Sequence, residues 1–164
     1  MDQLPMSIQE VLENHSINLK PSAYTEIDML YKRKGKHTHI AFLLDKNNNI
    51  LTYRSNVYFK TKSFPFSQHA EINTIINYYS KQHQKKIINI AKKLLVVKLG
   101  PNCFRMSKPC KHCATFIANN WDNLKLKEVL YSNKQGELIS LSKSDLENTS
   151  SFHLSSANLR DRAP

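Results

Sequence analysis

The chain is short of the residues that build several protein classes. Three cysteines in 164 residues are too few for a disulfide scaffold, and three glycines with six prolines exclude collagen-like and low-complexity sequences. No apolar run approaches the roughly 20 residues that span a bilayer. The first residues, MDQLPMSIQE, lack the basic-then-apolar layout of a signal peptide. These absences predict a soluble intracellular protein of a reducing compartment, cytoplasmic with the nucleus left open, and with no membrane partner. Acidic residues are also scarce, 13 against 24 Lys and Arg. With 40% hydrophobic and 23% charged residues, one packed globular domain is expected.

The basic residues are concentrated. Residues 32–127 hold 19 of them against three acids, a net charge of +16, between mildly acidic ends. A field of that sign draws phosphates, whether on a nucleotide or along a nucleic acid. Most of the basic residues are lysines, and a solvated lysine surface accounts for the same numbers equally well. Only Arg33, Arg54 and Arg105 are available in that region for stacking or bidentate contacts. The run KRKGK (32–36) reads as a basic surface turn more readily than as a nuclear signal.

Residues 7–15 and 22–33 read as helices with Ser7 and Ser22 as N-caps and Ile8, Val11 and Leu12 on one face. HIAFLLD (39–45) and ILTYRSNVYF (50–59) flank an Asn-rich turn, the pattern of a hairpin. Residues 69–83 are helical, with apolar positions 72, 75, 76 and 79 predicting the buried face. LLVVKLG (94–100) reads as a central strand buried on both sides, 110–121 as a helix, and 127–133 and 137–142 as strands. Helices interleaved with strands predict an α/β layered domain with one mixed sheet. The turn from 133 to 136 is too short for a crossover helix, so the last two strands are expected to be antiparallel neighbours. The final 22 residues read as a loosely attached polar tail.

One constellation carries chemistry: His69-Ala70-Glu71 at the start of one helix and Pro109-Cys110-Lys111-His112-Cys113 at the start of another. A Cys-x-x-Cys pair at a helix N-terminus offers two sulfurs on one turn, where the helix dipole favours the thiolates that bind zinc. His69, brought from the other helix, supplies a third ligand. Three protein ligands leave the fourth tetrahedral position open, as in a catalytic site. Glu71 diverges from His69 at the helix start, so its carboxylate is placed beside the metal as a proton carrier. His112, inside the Cys-x-x-Cys turn, points away from the metal. Cys103, His15, His37, His39, His83 and His153 have no partners at metal spacing.

These residues resemble the zinc-dependent cytidine deaminase superfamily, whose signature is H-x-E followed by P-C-x-x-C. Here it reads HAE at 69–71 and PCKHC at 109–113, with 37 residues between Glu71 and Pro109. The resemblance implies a three-layer α/β/α cytidine deaminase-like domain with a mixed five-stranded sheet over residues 22–142. It is preceded by a helical extension (1–21) and followed by the polar tail (143–164). It implies one zinc held by His69, Cys110 and Cys113, with Glu71 moving protons during hydrolytic replacement of a ring amine by a carbonyl. Substrate contacts are expected from the backbone N–H of Ala70, from Asn56 on the sugar, from Phe66 (with Phe64) stacking on the base, and from Lys108 at the rim. The usual Gly before that Asn is missing, and Lys108 stands where relatives often carry Ser or Glu.

The short 133–136 turn resembles the branch with an antiparallel final strand, which includes free-nucleoside deaminases and nucleic-acid-directed toxin deaminases. The resulting expectation is conversion of cytosine to uracil in a free (deoxy)cytidine nucleoside or nucleotide, by a chain that can also form a homo-oligomer. Two alternatives stand beside it: a cytosine deaminase acting on single-stranded nucleic acid, and a catalytically silent zinc-binding module.

Overall fold

The computed structural model describes residues 7–17, 19–35, 38–60, 65–86, 89–101, 103–148, 150 and 152–153, with backbone only at 34, 57–60 and 65–68. Its elements are α1 (Ile8–Asn14), α2 (Pro21–Lys34), β1 (His39–Leu44), β2 (Ile50–Ser55), β3 (Val57–Lys60), β4 (Pro65–Gln68) and α3 (Ala70–His83). They continue with β5 (Lys93–Gly100), β6 (Cys103–Arg105), α4 (Lys111–Leu124), β7 (Glu128–Ser132), β8 (Leu138–Leu141) and α5 (Lys143–Glu147). The main sheet runs β2-β1-β5-β7-β8, with the short β6 also paired to β5.

Period-two side-chain alternation sorts this sheet into two faces. Ala41, Leu43, Leu94, Val96 and Val129 pack under α3, α4 and the buried Leu146 and Phe152. Ile40, Phe42, Leu44, Leu95, Val97, Leu99 and Leu130 pack under α1 and α2. The domain is therefore three layers, α/β/α, as expected, and β5 is the central strand whose apolar run is buried on both sides. The strand β5 is antiparallel to β1 and parallel to β7, and β7 is antiparallel to β8. The α4 crossover supplies the long connection that the parallel pair requires. The β7–β8 turn closes as predicted: Asn133 Oδ1 accepts from the N–H groups of Gln135 and Glu137, and Gly136 takes φ +81°.

Several expectations are corrected. β2 ends at Ser55, and the residues after Asn56 form β3, which pairs with β4 in a separate two-stranded sheet. The predicted long second strand is thus two strands. Ser22 is not a cap: α2 starts at Pro21 with Lys20 as N-cap, since proline at the first helical position needs no N–H acceptor. Ser7 does cap α1, in a reciprocal capping box with Glu10. Cys103 begins the short β6, a strand that the sequence did not predict. The tail is anchored at its start, where α5 buries Leu146 and is followed by the buried Phe152.

The buried face of α3 is rotated from the apolar stripe read in the sequence. It is Glu71, Thr74, Ile75 and Tyr78, whereas Ile76 is 49% exposed. Polar groups occupy that face because each has a partner: the Thr74 hydroxyl donates to Ala41 O at 3.0 Å. The Tyr78 hydroxyl donates to Asn89 O (3.2 Å) and accepts from Ala91 N (3.2 Å) and Gln82 Nε2 (2.9 Å). Tyr78→Phe strands the buried Ala91 N–H and is expected to cost about 1–3 kcal/mol. Ile76→Ala should stay within about 0.5 kcal/mol of the parent. Urea unfolding of the two variants checks this, and equal effects would mean that the face is wrongly assigned.

Candidate metal centre and active site

The first half of the site is the N-terminus of α3. Its first turn is pinned to the sheet, with Asn73 Nδ2 donating to Ser55 O at 3.1 Å and Thr74 to Ala41 O. His69 is the N-cap, in extended conformation, and Ala70 and Glu71 open the helix fully buried or nearly so. N–H groups in a first helical turn lack intrahelical acceptors, which leaves that of Ala70 suited to a ligand carbonyl.

The second half is the segment from β6 into α4. Two serines tie it down. Ser107 Oγ donates to Val96 O at 2.7 Å and accepts from Ser132 N at 2.8 Å, while Ser107 N donates to Ser132 O at 2.8 Å. The Ser132 hydroxyl donates to Arg105 O, and both serines are buried. This knot links the middle of β5 and the end of β7 to the segment that delivers Pro109 and Cys110. No periodicity in the sequence pointed to it, because two isolated serines 25 residues apart carry no pattern.

Cys110 is the N-cap of α4, its sulfur accepting from Cys113 N at 3.5 Å. Both sulfurs are buried. His69 Nδ1 lies 3.0 Å from Cys113 Sγ and 3.5 Å from Cys110 Sγ. Among the described residues this is the one group of His, Cys, Asp or Glu ligands placed to hold a metal, with its three atoms within 4.8 Å of one another. Tetrahedral zinc at ordinary bond lengths sets N···S separations of roughly 3.6 Å, so the cluster fits the ion with a slight expansion at Cys113. The donor set, two sulfurs and an imidazole, is also zinc's own. His112 is exposed and outside the group. Glu71 is outside it too.

The electrostatics divide the pair of thiols. The hydrogen bond from Cys113 is the main cause lowering Cys110 to about 3, helped by His69 against the opposing effect of burial. Cys113 is pushed up correspondingly, first by that same hydrogen bond and then by burial. The bond to Cys110 raises the basicity of His69, with burial working against it. Glu71 is held above the ordinary carboxylate range, chiefly by burial, while a hydrogen bond from Cys113 and the charge of His69 pull the other way. Glu71 is thus a carboxyl inclined to hold a proton, in contact with the His/Cys/Cys group.

No protein-family model matches the chain, and no curated protein does. Among solved structures it is similar to a dCMP deaminase from the cyanophage S-TIM5, determined in complex with dCMP and dUMP. The identity is 19% and the TM-score 0.43, and the match covers 84% of this chain and 98% of that one. The chemistry rests on the side chains of this chain.

The remaining expected contacts are distributed unevenly. Asn56 sits just after β2 with its Oδ1 accepting from His39 N at 3.0 Å, while its own N–H donates to His39 O at 3.2 Å. The ammonium of Lys108 lies 4.9 Å from the centre of the Phe152 ring, and Lys111 N, the first N–H of α4, donates to His153 O at 2.7 Å. Residues 152–153 thus pack on the metal-ligand turn. Phe66 lies in β4, but its side chain is outside the described residues, and so is Phe64 altogether. No described helix is long and apolar enough to cross a membrane.

Proposed function

We propose that the chain is a zinc-dependent hydrolytic deaminase converting cytosine to uracil in a free (deoxy)cytidine nucleoside or nucleotide. The observation that carries this reading is the buried Glu71 carboxyl, hydrogen-bonded into a His/Cys/Cys group that has no fourth protein donor among the described residues. A structural metal site would close its fourth position with another side chain. His69 Nδ1 and the sulfurs of Cys110 and Cys113 would hold a zinc ion, which when bound would supply Lewis acidity.

Glu71 takes a proton from the attacking water and delivers it to the ring nitrogen; it then carries the remaining hydroxyl proton from the ring carbon to the amino group, so that ammonia leaves as the carbonyl forms. Burial favours its protonated form and so suits it to the donating half of that cycle. The Ala70 N–H holds the base carbonyl, Asn56 the sugar, and Phe66 a ring face. The first turn of α3 supports this assignment, since Asn73 anchors it beside Ser55, the neighbour of Asn56.

The test is a competition in which zinc-loaded protein meets equal cytosine concentrations as deoxycytidine, its 5′-monophosphate and a single-stranded oligonucleotide. Mass spectrometry follows the amine-to-carbonyl change, with Glu71→Ala as the control. Preferential conversion of the monomers is expected. Conversion of the oligonucleotide alone would make the chain a nucleic-acid deaminase, and conversion of none would remove the enzymatic reading.

A further inference from the structure

We propose that the end of the sheet beside the metal centre is a phosphate-binding floor built from Lys98 and Arg105, abreast of His39 and Asn56. This floor selects a phosphomonoester-bearing nucleotide over the free nucleoside. The proposal deepens the deaminase reading and rests on it for the base, while its phosphate part stands on the strand register alone.

The register puts three residues in one row across three strands, with Asn56, just after β2, beside them. His39 of β1 is opposite Lys98 of β5, and Lys98 is opposite Arg105 of β6. Asn56 is joined to His39 by hydrogen bonds in both directions. Directly opposed residues share a face of the sheet. His39 shares its face with Ala41 and Leu43, and Lys98 with Leu94 and Val96, which pack under α3 and α4. The row therefore lies on the side of the sheet from which both halves of the metal centre come.

Gly100 confirms the direction of Arg105 independently. A Cβ placed on Gly100 would come within 2.7 Å of Arg105 Nε, so the arginine side chain runs over the space that the glycine leaves. The height of the row also matches the site. Thr74 bonds to Ala41 O, and Ser107 to Val96 O, which sets the first turn of α3 and the Cys110 segment over those residues. Lys98 is two residues further along β5, about 7 Å towards the end at which His69 and Cys110 emerge.

Like charges abreast in a sheet are unfavourable unless something neutralises them. Among the described residues no carboxylate pairs with Lys98 or Arg105; the ion pairs lie elsewhere, at Lys32, Lys93 and Lys143. Arginine offers a planar fork and lysine a point charge, and together they match the two charges of a phosphomonoester better than the single charge of a diester. Lys108, the cation first expected at the rim, has its ammonium over Phe152.

Calorimetry on zinc-loaded Glu71→Gln protein, which binds without turnover, tests this with deoxycytidine, its 5′-monophosphate, deoxyribose 5-phosphate and a short oligodeoxycytidine. At low salt the monophosphate is expected to bind at least tenfold tighter than deoxycytidine. Lys98→Met and Arg105→Met should each remove most of that increment and leave deoxycytidine affinity unchanged, which also shows that the variants are folded. Lys98→Arg and Arg105→Lys should retain it, as should Lys127→Gln at the opposite end of the sheet.

Equal affinity for nucleoside and monophosphate would overturn the floor. So would an increment that Lys127→Gln lowers as much as Lys98→Met does, or an oligonucleotide preferred over the monophosphate. Binding of deoxyribose 5-phosphate that depends on Lys98 and Arg105, with no affinity for deoxycytidine, would support the floor and sink the cytosine reading. Absence of binding by all four would sink both.

Discussion

Glu71→Ala is expected to lower turnover by about 10³-fold or more while zinc remains at one per chain. The carboxylate is not among the three ligand atoms that cluster within 4.8 Å, so its removal leaves the donor set whole. What it removes is the only acid touching that set among the described residues, a group burial has biased towards holding a proton. The buried charge is itself a burden on the fold, so Glu71→Gln, which keeps the shape without the acid, should melt no lower than the parent. Metal analysis by mass spectrometry, a turnover assay and a thermal melt on the same preparations check all three statements. A rate within tenfold of the parent, with zinc still bound, would remove Glu71 from the mechanism.

Cys110→Ala should instead lose the metal and a large part of the stability that comes with it. Cys110 and His69 cap different helices, so a metal held by both would link the first turns of α3 and α4. Ligand binding to the folded state alone adds about 4 kcal/mol when free zinc exceeds its dissociation constant a thousandfold, or roughly 8–16 °C in a domain of this size. A chelator should therefore lower the melting temperature of the parent by about that much and leave Cys110→Ala unmoved. The cavity left by one sulfur is too small to imitate a chelator-sensitive loss of that size. Stoichiometric zinc in Cys110→Ala would show that the ligand assignment is wrong.

The chemistry-bearing residues were legible because their signal is local and discrete. Histidine, glutamate and two cysteines at short fixed spacing on helix starts need only helical geometry to be brought to one side of a turn. The central strand was equally legible, since Leu94 to Val97 is an unbroken apolar run, and so was the Asn133–Gly136 turn. The face of α3 was misread for a physical reason. Hydropathy counts Glu71, Thr74 and Tyr78 against burial, whereas the fold buries them with partners on β1, on the loop before β5 and in the metal centre.

The short strands β4 and β6 escaped notice, and β3 was read as a continuation of β2. The three residues of β6 and the four each of β3 and β4 owe their pairing to neighbours that the sequence does not place beside them. The same limit applies to the phosphate floor. His39, Lys98 and Arg105 are unremarkable basic residues 59 and 7 positions apart in the sequence.

The sequence by itself determined the donor set, the glutamate beside it and the alternation of helices and strands, because each is written in residue type and local period. Only the tertiary structure decided which side chains stand abreast. The register of β1, β5 and β6 is a matter of hydrogen bonds between distant segments, and it alone turns Lys98 and Arg105 from scattered charge into a row beside the metal centre.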